Sequence, residues 1–282
     1  MNRETRIVKY DTDLKVEAYH FKGLMQKFPN HFHQYYVIGF IEKGQRFLSC
    51  KSCDYTIAPG DLLLFNPHDN HTCSQIDGKS LDYRCINVQP EVMAKAVFDI
   101  TGKSYLPYFE PQVIFHSELI SVLRELHQML MDEEKDFRKE ETFFFLLEQL
   151  IEEYTDQSFS IAQDEPSAEE KTVCDFLEAH YAENITLTDL CHLTGLSRYY
   201  LLRSFTKQKG ISPYRYLETI RIEKAKKLLE GGKLPIDVAL QTGFSDQSHF
   251  SNFFKKFIGL TPKQYMTIFK ANGSEKKEPK NE

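Results

Sequence analysis

Short apolar runs broken by turn chemistry fill the first hundred residues. Tyr35-Tyr36-Val37-Ile38-Gly39-Phe40-Ile41, Leu62-Leu63-Leu64-Phe65 and Tyr83-Arg84-Cys85-Ile86-Asn87-Val88 have strand length and β-branched or aromatic content. Between them lie Glu42-Lys43-Gly44, Pro59-Gly60-Asp61, Asn66-Pro67-His68-Asp69-Asn70 and Asp77-Gly78. This pattern predicts β-rich structure from about 7 to 110, as a small barrel or sandwich. From about Ser117 the period becomes helical. Leu119, Leu123, Leu126 and Leu130 share one face, and Phe143, Leu146, Leu147, Leu150 and Ile151 form a second stripe over Thr142 to Tyr154. A polar break at 133–136 separates the two. Such stripes either pack on their own barrel or meet a second subunit, and both readings stay open.

The stretch from Asp156 to Ala168 loses hydrophobicity and reads as a linker. The chain is then helical to about Ala271, with a charged tail behind it. The expected organisation is therefore a domain over 1–156, a linker over 157–168, a second domain over 169–271 and a polar tail over 272–282. Formal net charge is −6 over the whole chain, a value that hides an asymmetry. Residues 171–270 carry 15 Lys+Arg against 9 Asp+Glu, or +6, whereas residues 1–170 stand at −12. A polyanionic partner is expected for the second half only.

No run approaches the roughly 20 apolar residues of a membrane span, and Met1 to Thr5 opens a polar stretch without a signal-peptide core. Six cysteines in such a chain suggest reduced thiols in a cytoplasmic protein.

The C-terminal hundred residues contain one arrangement twice. Leu187 to Ser197 reads as a short helix, a turn at Gly195 and a serine cap, followed by a helix from Arg198 to about Lys209. Pro235 to Ser245 repeats this with Gly243 at the turn, followed by Asp246 to Phe257. Each copy ends in Gly-x-(Ser/Thr)-Pro, at Gly210 to Pro213 and Gly259 to Pro262. This is a duplicated helix-turn-helix. Leu201, Phe205, Phe250 and Phe254 recur at helical spacing and read as core, while Tyr200 suits either core or groove.

Here the sequence resembles the AraC/XylS family of transcription regulators, over about Lys171 to Lys270. The most specific stretches are Ile236 to Ala239, Gly243 to Ser251, Phe254-Lys255 and Gly259 to Tyr265, and the connecting helix matches through Tyr216-Leu217, Arg221-Ile222 and Ala225 to Leu229. Cys191 and Asn252 depart mildly from the family pattern. The resemblance implies that both second helices enter successive major grooves of double-stranded DNA, roughly 34 Å apart. By match to the family's exposed positions, Arg198, Tyr199 and Arg203 in the first, and Gln247, Ser248, His249 and Asn252 in the second, face the bases, and Tyr200 is a DNA-binding candidate on its groove reading. Lys207, Lys209, Lys255 and Lys256 suit phosphate contacts.

The first half resembles the cupin-type ligand-binding barrel of that family through His31-Phe32-His33, Gly44 and Pro59 to His71. The expected fold class is thus α+β: a cupin-like β-barrel with following helices, then an all-α domain with two helix-turn-helix motifs. Metal-using cupins hold a divalent ion with a histidine pair, a following glutamate and a later histidine. His31, His33 and His71 match that set, but Gln34, Tyr35, Tyr36 and Val37 stand where the glutamate belongs. Three imidazoles still suit zinc or iron. In this family the barrel usually takes an organic effector, so no metal and no cofactor is assigned. His31, His33, His71 and Arg84 are the candidate polar anchors of an unidentified small molecule, and Tyr36 and Phe47 its candidate walls.

Cys50-Lys51-Ser52-Cys53 leaves thiol sensing as a further reading. No nucleophile elbow, Walker loop or dinucleotide fingerprint occurs. The expected function is a homodimeric, effector-controlled transcription regulator and not an enzyme, an activator in which case RNA polymerase is a partner. The alternative is a metal-dependent cupin enzyme or a metal or thiol sensor fused to a DNA-binding domain.

Overall fold

The computed structural model describes residues 4–51, 53–76, 78–133, 137–155 and 167–273. The chain divides into two compact units, 1–166 and 167–282.

In the first unit, six strands form one antiparallel sheet: β1 (Thr5–Asp11), β2 (Val16–Leu24), β4 (Tyr36–Lys43), β7 (Leu62–Phe65), β9 (Leu81–Val88) and β10 (Val113–Ile114), in the order β1-β2-β9-β4-β7-β10. A second sheet holds β3 (Phe28–His31), β5 (Arg46–Cys50), β6 (Cys53–Ile57) and β8 (His71–Gln75), in the order β3-β8-β5-β6. Among the described residues no ladder joins the two sheets. The expected barrel is therefore cupin-like but not closed.

Register decides which face of the larger sheet meets what. Tyr36 pairs with Val88 and Val88 with Val16, while Arg84 pairs with both Phe40 and His20. That face carries Tyr36, Ile38, Phe40, Leu62, Leu64 and Ile86, which share one apolar core with the helices. The helices are α1 (Pro90–Thr101), α2 (Ile120–Met131) and α3 (Phe137–Tyr154). Both predicted leucine-rich stripes, from Leu119 to Leu130 and from Phe143 to Ile151, are buried there. Of the two readings left open, packing on the unit's own sheet is the one these stripes satisfy.

Helix α1 corrects the β-rich reading of 7–110. Pro90 stands in its first turn and Met93, Ala96 and Val97 bury at spacings of three and four, a short amphipathic signal easily lost between strands.

The second unit is helical: α4 (Ala168–Ala179), α5 (Leu187–Thr194), α6 (Arg198–Lys209), α7 (Pro213–Glu230), α8 (Pro235–Gln241), α9 (Gln247–Ile258) and α10 (Pro262–Gly273). Ser167 accepts a hydrogen bond from the Glu170 amide at 3.1 Å and so caps α4. The last two positions of the expected linker thus belong to this helix, and 157–166 lie outside the described residues. Asn272 and Gly273 lie in α10, while 274–282 fall outside as well.

Helix α7 is the spine of this unit, burying Tyr216, Leu217, Ile220, Ile222, Ala225 and Leu229. Its Arg221 donates to the Tyr181 carbonyl at 2.7 Å and the Glu183 carbonyl at 2.8 Å. A guanidinium there satisfies backbone acceptors left over where α4 has ended.

Candidate functional site

The two helix-turn-helix copies are built from the same local parts. Thr186 and Asp189 form a reciprocal capping box at the start of α5. Gly195 then takes φ 71°, and Ser197 caps α6 by accepting from the Tyr200 amide at 3.4 Å. In the second copy Gly243 takes φ 78°, and the Asp246 carboxylate accepts from the His249 amide at 2.7 Å. That bond holds the Asp246 carboxyl below its ordinary range. The inner faces are closed by Leu201, Phe205, Phe250 and Phe254, all buried as the spacing predicts. Arg215 of α7 stacks over Phe253 and Phe257 of α9, at 5.8 and 5.4 Å from the ring centroids, tying the second reading helix to the spine.

What remains outside is the predicted surface. Tyr200 is 60% exposed, which settles it as outward-facing, and Arg203 and Lys207 lie exposed on the same helix. On α9, Gln247, Ser248, His249, Asn252, Lys255 and Lys256 are all exposed. The His249 ring also rests on Phe244 and Phe253, with centroids 5.6 and 6.0 Å away. Arg198 and Tyr199 occupy the first turn of α6; their side chains lie outside the described residues. Lys209 differs from its expected role, because it is half-buried and ion-paired with the buried Glu170 at 2.7 Å.

In the sensing unit the structure brings together only part of the predicted set. Phe65 of the larger sheet stacks on His71 of the smaller one, centroids 4.2 Å apart, so the face carrying Phe65 is the one turned toward the other sheet. Val37, Asn87 and Glu17 share that face through successive pairing. Tyr36 and Arg84 lie on the opposite face. The Tyr36 hydroxyl donates to the Pro107 carbonyl at 2.8 Å, and Arg84 approaches Glu42 at 3.4 Å, beside the Arg124–Glu42 pair at 2.7 Å. Neither lines the space between the sheets. Phe47 pairs with Thr56 and Ser74 on the outer face and is 38% exposed, so it is not a wall either. All three corrections have one cause: strand faces alternate, and a residue's side depends on a register that one strand alone does not reveal.

His31, His33 and His71 do converge. One ring nitrogen from each lies within 4.8 Å of the others. His31 Nδ1 donates to the Pro29 carbonyl at 2.7 Å and His71 Nδ1 to the Asp69 carbonyl at 3.0 Å. Burial pushes the His71 imidazole down to about 4, so it is neutral at pH 7. His33 stacks on Tyr35, with centroids 4.8 Å apart. Phe65, Glu17 and Asn87 share this face by strand pairing and Tyr35 packs on His33 from the segment before β4, placements that the sequence reading did not make.

The Cys50 and Cys53 pair closes the β5–β6 hairpin, with Cys50 buried and Cys53 exposed. Burial raises the Cys50 thiol to about 12, which works against a reactive thiolate.

Comparison with known proteins fits both halves. The family described as AraC-like ligand binding domain matches residues 14–165, and a helix-turn-helix domain family matches residues 190–268. A Bacillus subtilis protein described as the uncharacterized HTH-type transcriptional regulator YbfI is 63% identical over 249 residues, 88% of this chain and 90% of that one. The chain belongs to the AraC family of transcription regulators. The HTH-type transcriptional activator RhaS of Escherichia coli is 27% identical over 244 residues, covering 84% of this chain and 86% of RhaS. Among solved structures, an apo form of ToxT from Vibrio cholerae aligns with a TM-score of 0.55 at 18% identity, covering 93% of this chain and 99% of ToxT. ToxT bound to an unsaturated fatty acid aligns at 0.54 and 19%, covering 95% and 98%. At that identity the likeness concerns the fold. As an AraC-family member the chain is a DNA-binding transcription regulator with a ligand-binding domain.

Proposed function

We propose that this regulator activates transcription by reading two successive major-groove segments with α6 and α9, under the control of a small ligand held between the two sheets. The observation that carries the reading is the pair of capped helices, each with an aromatic or aliphatic back in the core and a polar or basic front in solvent. Arg198, Tyr199, Tyr200 and Arg203 meet base edges from α6, and Gln247, Ser248, His249 and Asn252 from α9. Arg203 is suited to guanine, and Asn252 or Gln247 to adenine. Lys207, Lys255 and Lys256 meet phosphates, which position the protein without reading sequence. His31, His33 and His71 are the groups that meet the ligand. RhaS, named as an activator, supports activation here, for which RNA polymerase is the partner. The structure of ToxT with a bound fatty acid supports a small ligand as the signal.

The working form is a homodimer in the cytoplasm, with no catalytic role of its own. The α2 and α3 stripes are already buried within the unit, so pairing uses other apolar residues, of which Phe98 and Phe145 are exposed at 54% and 48%. Sedimentation of the full chain tests this; a monomer at working concentration removes the dimer.

Selection of bound duplexes from random DNA tests the central reading. The expected winner has two short blocks about one helical turn, roughly 10 base pairs, apart, with affinity that falls steeply with salt. No enrichment over random sequence, with and without cell extract as a source of ligand, would overturn it.

A further inference from the structure

We propose that Cys50 and Cys53 form a reversible intramolecular disulfide on exposure to a hydroperoxide, and that this bond is a redox input to the regulator, separate from its small ligand. The input half of this statement rests on the regulatory reading above; the bond itself stands alone.

Register comes first. Cys50 of β5 and Cys53 of β6 are direct partners in the antiparallel ladder, with only residues 51 and 52 between them in the chain. Direct partners in such a ladder have Cα atoms about 4.5 or 5.5 Å apart, inside the roughly 4.4–6.8 Å that a disulfide spans. Their side chains leave the sheet on the same side, with Cβ atoms about 4.5–5.5 Å apart. A disulfide asks for about 3.5–4.5 Å, so closure draws the two strands together by roughly 1 Å at the hairpin tip. Cys73 lies on that side too, but on the diagonal. Cys50 pairs with His71, and Cys73 stands two positions further along β8. A diagonal neighbour is about 7–8 Å away, beyond disulfide reach. All three are free thiols.

Exposure then sets the order of the chemistry. Cys53 is exposed, whereas Cys50 is 1% exposed, so of the pair a hydroperoxide in solvent meets Cys53. The Cys53 thiolate attacks the terminal peroxide oxygen: an S–O bond forms, the O–O bond breaks, and the departing hydroxide or alkoxide takes a proton from solvent. The resulting sulfenic acid faces the Cys50 thiol. Condensation forms the S–S bond, breaks the S–O bond and releases water. Two thiols thus lose two electrons and one hydroperoxide gains them. An external thiol reaches the Cys53 sulfur and must expel Cys50, a poor leaving group with its thiol raised by burial to about 12, so the bond outlasts a brief pulse of oxidant. The tip is tied to the ligand-facing residues. His71 is the β8 partner of Cys50, and the Lys51 amide donates to the Asn70 carbonyl at 3.2 Å. The Lys51 ammonium donates to the Tyr108 hydroxyl. Closure at Cys50 and Cys53 therefore pulls on the backbone that carries His71.

The test uses the full chain, reduced, freed of reductant and treated with one equivalent of hydrogen peroxide, without DNA. Trypsin cuts after Lys51, between the two cysteines, so the bond joins peptide 47–51 to peptide 52–79. That linked mass is expected as the main oxidised product and should vanish with dithiothreitol. Cys73 sits in the second peptide, so Cys73→Ser must keep the link and Cys53→Ser must abolish it. Cys53 is exposed, so Cys53→Ser keeps the test valid if Cys50→Ser unfolds. A sulfinic Cys53 without the link, a link lost in Cys73→Ser, or a disulfide-bonded dimer in place of the link would overturn the bond. Affinity for the selected duplex is then compared in reduced and oxidised protein, alongside Cys53→Ser carried through the same treatment. A change of at least about fivefold is expected in the unmodified sequence and none in Cys53→Ser. Equal affinities, or a change that Cys53→Ser shares, would remove the redox input while leaving the bond in place. Failure to select any duplex counts against the regulator reading and leaves the peptide mapping unaffected.

Discussion

At the scale of single residues, base contacts and phosphate contacts should separate cleanly. Arg203 is exposed on α6, where a guanidinium bonds a guanine edge bidentately, worth about 1–3 kcal/mol of discrimination. Arg203→Ala is expected to lower affinity for the selected site roughly 5- to 150-fold and leave random duplex little changed. Lys255→Ala should instead weaken all duplexes alike and reduce the log–log salt slope by about 1. If both variants behaved identically on matched and random DNA, the roles assigned on α6 and α9 would be wrong. The two turn glycines offer a second contrast. A Cβ on Gly195 meets nothing within 4 Å, whereas one on Gly243 would sit 2.8 Å from the Ala182 carbonyl oxygen and 3.0 Å from the Arg221 guanidinium. Gly195→Ala should cost only the left-handed backbone penalty, about 1–2 kcal/mol. Gly243→Ala adds displacement of backbone next to the Arg221 contacts and should lower the urea midpoint further. The duplicated spacing of these glycines was legible in the sequence. Their unequal surroundings were not, since Ala182 and Arg221 come from elsewhere in the chain.

At the scale of elements, periodicity carried what is local and failed where faces depend on pairing. The leucine stripes of α2 and α3 and the aromatic backs of α6 and α9 were readable because a helix sets its own faces. The strand residues Tyr36, Phe47 and Arg84 were misplaced because their sides depend on partners far along the chain. Arrangement of elements also creates chemistry that no strand shows alone. His127 of α2 reaches across to the sheet, its Nε2 donating to the Tyr19 carbonyl at 2.9 Å. Burial lowers its imidazole to about 4, and Arg84 and His20 act in the same direction, opposed by the Tyr19 carbonyl and Glu42. The folded state therefore refuses a proton that the unfolded chain accepts near 6.5. This contribution is complete above about pH 6.5 and is lost as pH falls toward 4, on the order of 3 kcal/mol in all. Unfolding of the sensing unit followed from about pH 7.5 to about 4.5 should show that slope, and His127→Gln should lessen it, leaving the share of His71, whose imidazole burial also lowers to about 4. An unchanged slope would assign the acid sensitivity to other groups.

At the scale of the whole molecule, the decisive property is the division of charge. Residues 171–270 carry +6 and residues 1–170 carry −12, so the protein presents DNA with one attractive and one repulsive unit. The attraction of the second unit for phosphates is local and involves counterion release. The repulsion from the first acts through solvent and extends about one Debye length, roughly 30 Å at 0.01 M salt and 10 Å at 0.1 M. A chain beginning at Ser167 keeps α4 with its cap and the α7 spine, and should bind random duplex several-fold more tightly than the full chain at low salt. The two affinities should converge as salt rises, because screening removes the long-range repulsion while both proteins keep the same phosphate contacts. Fluorescence anisotropy of one labelled duplex across a salt series measures the ratio directly. A ratio that stays constant with salt would point to steric occlusion by the first unit rather than charge. A ratio near one throughout would place the acidic unit beyond the reach of the DNA's field, and ligand control would then have to work through the geometry of α6 and α9 alone.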